Sequence, residues 1–133
     1  MPANIDPVFP YLGRIGVATL TSPTALTSRA NITGTTGLTA LAAAGDFGTR
    51  LDRIHIQAKE TTVAGIIFIW IYNGTTSYLF DEITVTAVTA NTTAVAFQTY
   101  KDYTTVLLPY QSDLYVSSTI DQDFNIFAFG GNL

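Results

Sequence analysis

The sequence contains no cysteine, which excludes disulfides, thiolate metal sites and cysteine nucleophiles together. It has a single histidine, His55, which excludes the multi-histidine metal sites of jelly-roll oxygenases. A Ser-His-Asp centre needs the imidazole held between a nucleophile and a carboxylate. The residues around His55 specify neither, so it reads as a solvent-facing strand residue. Charge is scarce as well: charged residues make up 12% of the chain, against roughly 25% in an ordinary soluble domain. The six basic residues, Arg14, Arg29, Arg50, Arg53, Lys59 and Lys101, are scattered. Nucleic-acid binding needs a basic stripe to neutralise phosphates, so no nucleic-acid partner is expected.

Long hydrophobic runs are missing too. A membrane-spanning helix needs about 20 consecutive apolar residues, and the longest apolar stretch here, Ile66 to Tyr72, is far shorter. The opening "MPANIDPVFP" has neither the basic segment nor the apolar core of a secretory signal. The expectation is a soluble protein made in a cytoplasm, with no membrane partner. Two metal-like fragments fail on inspection. "DFG" (46–48) lacks the catalytic loop of a kinase. "DQDFN" (121–125) lacks both the glycine and the closing glutamate of a calcium loop. No metal, cofactor or catalytic residue is expected, and the protein is not expected to be an enzyme.

What the sequence has instead is strand patterning and turn chemistry. In "RLDRIHIQAK" (50–59), Arg53, His55, Gln57 and Lys59 alternate with Ile54, Ile56 and Ala58, the period of a half-buried strand. Further strands are expected at 14–20, 78–85, 94–100, 104–108, 114–119 and 124–129, with one weak strand inside the polar loop 21–37. "GLTALAAAG" (37–45) is ambiguous, since Ala and Leu favour helix. The Asn73-Gly74 pair after Tyr72 is a strong hairpin signal. About eight short strands with polar turns predict an all-β antiparallel sandwich, jelly-roll-like, as one domain over residues 13–133.

Residues 1–12 carry three prolines and read as an extended arm. The arm also holds Ile5, Val8, Phe9, Tyr11 and Leu12, which either fold back on the domain or dock on a neighbour. The 66–72 stretch poses a related problem. Ile67, Ile69 and Ile71 form one face, and Ile66, Phe68, Trp70 and Tyr72 the other. Leaving either in water would forgo on the order of 5–10 kcal/mol. One face covers the core; the second needs the arm, a long loop or another subunit. Phe68, Trp70 and Tyr72 are therefore candidate partner-binding residues, together with the apolar residues of the arm. Asp81 is expected on the same strand face as Leu79, Ile83 and Val85. A carboxylate there needs hydrogen bonds or a cation, which Arg50 or Arg53 could supply in a structural role. Three Asn-x-Thr sequons, at Asn31, Asn73 and Asn91, would mark glycosylation only in a secreted eukaryotic protein.

The stretch "GDFGTRLDRIHIQAKETTVAGIIFIWIYNGTTSYLFDEITV" and the ending "FNIFAFGGNL" resemble a group of small virion-associated proteins of tailed bacteriophages. The matching positions are Gly48 to Arg50, Thr61 to Gly65, Leu79 to Ile83 and Ala128 to Gly131, and the resemblance covers residues 45–133. It implies a structural role, foremost a capsid decoration (cement) protein on the head exterior. Such proteins are commonly β-rich, often trimeric, and use terminal arms to bridge capsomers. The implied partners are further copies of this chain, as a trimer, and the phage major capsid protein, with assembly in the host cytoplasm. The other reading is a receptor- or carbohydrate-binding module that uses Phe68, Trp70 and Tyr72 as an aromatic platform, with Tyr100, Tyr103 and Tyr110 contributing.

Overall fold

A computed structural model describes residues 12–21, 23–44 and 48–132. These form nine β-strands: β1 (Leu12–Leu20), β2 (Ile32–Thr33), β3 (Thr39–Ala42), β4 (Thr49–Ala58), β5 (Gly65–Tyr72), β6 (Thr76–Val85), β7 (Gln98–Leu108), β8 (Asp113–Ser118) and β9 (Phe124–Asn132). Two antiparallel sheets result, a four-stranded one in the order β1-β9-β4-β7 and a five-stranded one in the order β2-β6-β5-β8-β3. The expected all-β sandwich is the observed fold. With the two-residue β2 set aside, the pairs β1–β9, β3–β8, β4–β7 and β5–β6 are nested hairpins. They wrap alternately into one sheet and the other, which is the winding of a jelly roll.

Alternation decides what each sheet buries. Ile54 and Ile56 from β4, Ile67 and Ile69 from β5, Val116 from β8 and Ile126 from β9 meet between the sheets with no exposed surface. Burying each stabilises by about 1.5–3 kcal/mol, so this layer is the main source of cohesion. The β5–β6 hairpin forms at Asn73-Gly74 as expected. The Asn73 side-chain oxygen accepts from the backbone N–H of Thr75 (3.0 Å) and of Thr76 (2.9 Å), and Gly74 takes the left-handed φ of 98° that the turn requires.

Two expectations need correction, and one segment left open is decided. β1 begins at Leu12, whose backbone pairs with Asn132, so the expected arm ends one residue earlier; residues 1–11 lie outside the described residues. The ambiguous "TALA" segment is strand, not helix: it pairs with β8, and Leu41 sinks into the core, so tertiary contact overrides local propensity. The two strands expected at 94–100 and 104–108 are one strand, β7. Its register along β4 shifts between Leu51 and Arg53, and that bulge breaks the alternation that the sequence would otherwise show.

The closing "FGG" of β9 has a steric reason. A Cβ at Gly130 would collide with the carbonyl oxygen of Arg50 beside the β4 bulge, so only glycine lets the two backbones approach there.

Candidate functional site: the two outer faces of the sandwich

Each sheet has an outer face, and the chain treats the two differently. On the five-stranded sheet, Phe68 and Trp70 are fully buried although they point away from the core between the sheets. Their rings meet edge to face at 6.0 Å, and the Trp70 indole N–H donates to Ser117 Oγ at 2.9 Å. The segment between β1 and β2 covers them. The Leu26 N–H donates to the Ser118 carbonyl at 2.9 Å. The Arg29 guanidinium sits 5.3 Å from the centre of the Phe68 ring and pairs with Glu82 at 2.7 Å, the residue opposite Phe68 in the β5–β6 register. Phe68 and Trp70 are therefore not a contact surface for a partner: a loop of the same chain takes that place. Tyr72 is half-buried, edge-on to Tyr115 at 5.7 Å, and its hydroxyl donates to the Gly74 carbonyl. Ile5, Val8, Phe9 and Tyr11 lie outside the described residues, and the backbone of Leu12 pairs with Asn132.

Asp81 is held as a structural carboxylate, but not by the arginines expected. A register shift in β6 between the partners of Ile69 and Trp70 turns Leu79 to the outer face with Trp70. Asp81 stays on the inner side with Ile83 and Val85. There it accepts from Lys101 Nζ at 2.8 Å and from the Tyr103 hydroxyl at 2.6 Å, both on β7, which ties one sheet to the other. Arg50 instead pairs with Asp52, and Arg53 pairs with Asp102 through two hydrogen bonds. Burial pushes the Asp81 carboxyl up, but the hydrogen bonds from Lys101, Tyr103 and the Glu82 N–H together leave it below the usual range. Burial first, and then Asp81, raises the Tyr103 phenol well above its ordinary value.

The outer face of the four-stranded sheet has no such cover among the described residues. Register aligns its outward side chains in rows across the strands. One row is Val17, Phe127, His55 and Tyr100. On one side of it lie Phe129, Arg53 and Asp102; on the other lie Thr19, Asn125, Gln57 and Gln98. Val17 is 53% exposed, Tyr100 57% and Phe129 36%. The Phe127 and Phe129 rings run near-parallel at 6.2 Å, His55 lies 6.1 Å from Phe127, and the Arg53 guanidinium stacks on Tyr100 at 4.2 Å. The hydrogen bond from Arg53 holds the Asp102 carboxyl below its usual range. Sequence reading placed His55, Arg53 and Gln57 on this face. It missed Phe127 and Phe129, although the "FNIFAF" alternation carried the signal.

Two sequons have a structural use. At Asn73 and again at Asn91, the side-chain oxygen accepts from the Thr two residues on, both from its N–H and from its Oγ1, at 2.8 to 3.0 Å. The Asn-x-Thr spacing is what such an Asx turn needs.

Compared with known proteins, the chain matches no family model, no curated protein and no solved structure at a significant level.

Proposed function

We propose that the chain is a structural protein of a tailed-phage virion, of the capsid decoration kind, acting by attachment and not by catalysis. The observation that supports this best is where the stretches that resemble that group fall. Leu79 to Ile83 span the β6 register shift that aims Asp81 at β7. Thr61 to Gly65 lead from the β4–β5 connection into β5, and there the Thr62 hydroxyl donates to the Thr86 carbonyl. Ala128 to Gly131 include the close approach of β9 to β4. These motifs serve architecture, as residues shared among structural proteins do, and the low charge suits a chain that spends its life against other subunits.

In this reading the arm is the anchor. Proline-restricted segments lose little conformational entropy on docking, and Ile5, Val8, Phe9 and Tyr11 supply apolar area for a neighbouring copy or the major capsid protein. The test is a sedimentation assay on capsids of the phage whose capsid gene neighbours this one. Full-length protein is expected to co-sediment, and a variant lacking residues 2–11 to remain in the supernatant with an unchanged melting temperature. Full-length protein that ignores the capsids would sink the reading. Light scattering at micromolar concentration checks the expected trimer.

A further inference from the structure

The outer face of the four-stranded sheet, open among the described residues, has a composition of its own. Its charges are matched internally: Arg53 with Asp102, and Arg50 with Asp52 at the margin. With both pairs closed, these rows offer a charged partner little local field, although the chain as a whole carries −4. Phe127 and Tyr100 sit beside a row of neutral hydrogen-bonding groups, and Phe129 lies one row further off. In the neutral row Asn125 and Gln98 each present both a carbonyl acceptor and an amide donor, Gln57 presents its carbonyl while its Nε2 donates to the Ala58 carbonyl at 3.0 Å, and the Thr19 hydroxyl donates to Asn125 Oδ1 at 3.1 Å.

Extent bears on the choice as well. With strands about 4.8 Å apart and about 3.3 Å per residue, the face projects roughly 500 Å². A standard protein–protein interface takes about 800 Å² of accessible surface from each partner, which this flat face approaches only if its whole extent is engaged. An extended, uncharged, hydroxyl-rich chain with apolar C–H surfaces fits both the area and the chemistry.

We propose that this face is a binding surface for a neutral polysaccharide. Sugar C–H faces pack on Phe129 and Tyr100, and hydroxyl groups exchange hydrogen bonds with Gln57, Gln98 and Asn125. The Arg53–Asp102 pair holds the Tyr100 ring in place by stacking from the side. This goes beyond the virion reading and does not depend on it: the rows named here lie on β1, β4, β7 and β9, and a protein of another role would keep them.

The test is affinity electrophoresis of the full chain in gels containing soluble starch, mixed-linkage β-glucan, mannan or galactan, with heparin as the charged control. Retardation is expected in at least one neutral gel and not with heparin. Tyr100→Ala and Phe129→Ala should each weaken it tenfold or more, and Tyr100→Phe should retain most of it. Gln98→Ala, an exposed change that leaves every ring in place, should weaken it severalfold. Tyr110→Ala, in the exposed β7–β8 turn away from these rows, should leave it unchanged. Circular dichroism checks the fold of each variant. No retardation in any neutral gel overturns the proposal, as does retardation that survives all three weakening variants. If light scattering shows a dimer that Phe129→Ala converts to monomer, the face is a self-contact and the proposal is likewise overturned. Capsid sedimentation of the same variants should be normal, so this inference and the virion reading fail separately.

Discussion

The two outer faces of the sandwich begin from similar material and end in opposite states. Each presents aromatic side chains at alternate positions of a strand: Phe68, Trp70 and Tyr72 on β5, Phe127 and Phe129 on β9. On the first face a loop of the same chain brings Leu26 and Arg29 across, and Phe68 and Trp70 become a second small core. On the second, Phe129 keeps about a third of its surface exposed. An aromatic strand in a sequence is thus not by itself a binding platform. What decides is whether an irregular segment elsewhere in the chain can reach it, and irregular segments carry no period to read.

The sharpest way to break this comparison is to truncate one ring on each face. Trp70→Ala should cost about 3–5 kcal/mol, as a large buried aromatic does, and it leaves Ser117 without its donor. Phe129→Ala, which removes a ring 36% exposed and stacked on Phe127, should cost about 1–2 kcal/mol. Urea denaturation measures both; equal costs would mean that the faces are not different in kind.

Next in size is the clamp between the sheets. Asp81→Asn removes charge-assisted hydrogen bonds to Lys101 and Tyr103 and should cost about 1.5–3 kcal/mol. Because the folded-state carboxyl lies below its unfolded value of about 3.9, its contribution is complete above that value. It is lost as pH falls through the folded pKa. The wild type should therefore lose stability below about pH 4 more steeply than Asp81→Asn, with stability against pH as the measurement.

Smaller still is Arg29→Ala. Its pair with Glu82 is largely exposed, and such pairs contribute about 0–1 kcal/mol. The more telling readout is spectroscopic: Trp70 emission should shift to the red if Arg29 helps hold the loop down. An unchanged spectrum would leave Leu26 and its backbone hydrogen bond as the holding contact.

The strands were legible because their periods are local. Ile54, Ile56 and Ala58 against Arg53, His55 and Gln57 announce both faces of β4, and Asn73-Gly74 announces its hairpin. The demand that both sides of β5 be covered was legible too, from side-chain size alone. The identity of the cover was not, since nothing in "SPTALTSRA" points to Phe68 until Arg29 is seen beside Glu82. The partners of Asp81 were missed because Lys101 and Tyr103 reach it from the opposite sheet, a contact that no local period marks. Arg53 and Asp102 are adjacent only through the β4–β7 pairing, a contact that periodicity cannot reach.

The nested winding also sets how the chain must find its fold. Thr19 and Asn125, bonded side by side on neighbouring strands, are 106 residues apart, and β9 occupies an interior place in its sheet between β1 and β4. Most of the intervening chain has to be gathered before those contacts can reward it, and loop-closure entropy is met first. Chains dominated by such distant pairings fold in about milliseconds to seconds rather than microseconds. During that interval the isoleucine-rich β5 has no cover on either side. Refolding yield should therefore fall as protein concentration rises, well before the native state itself shows any tendency to aggregate.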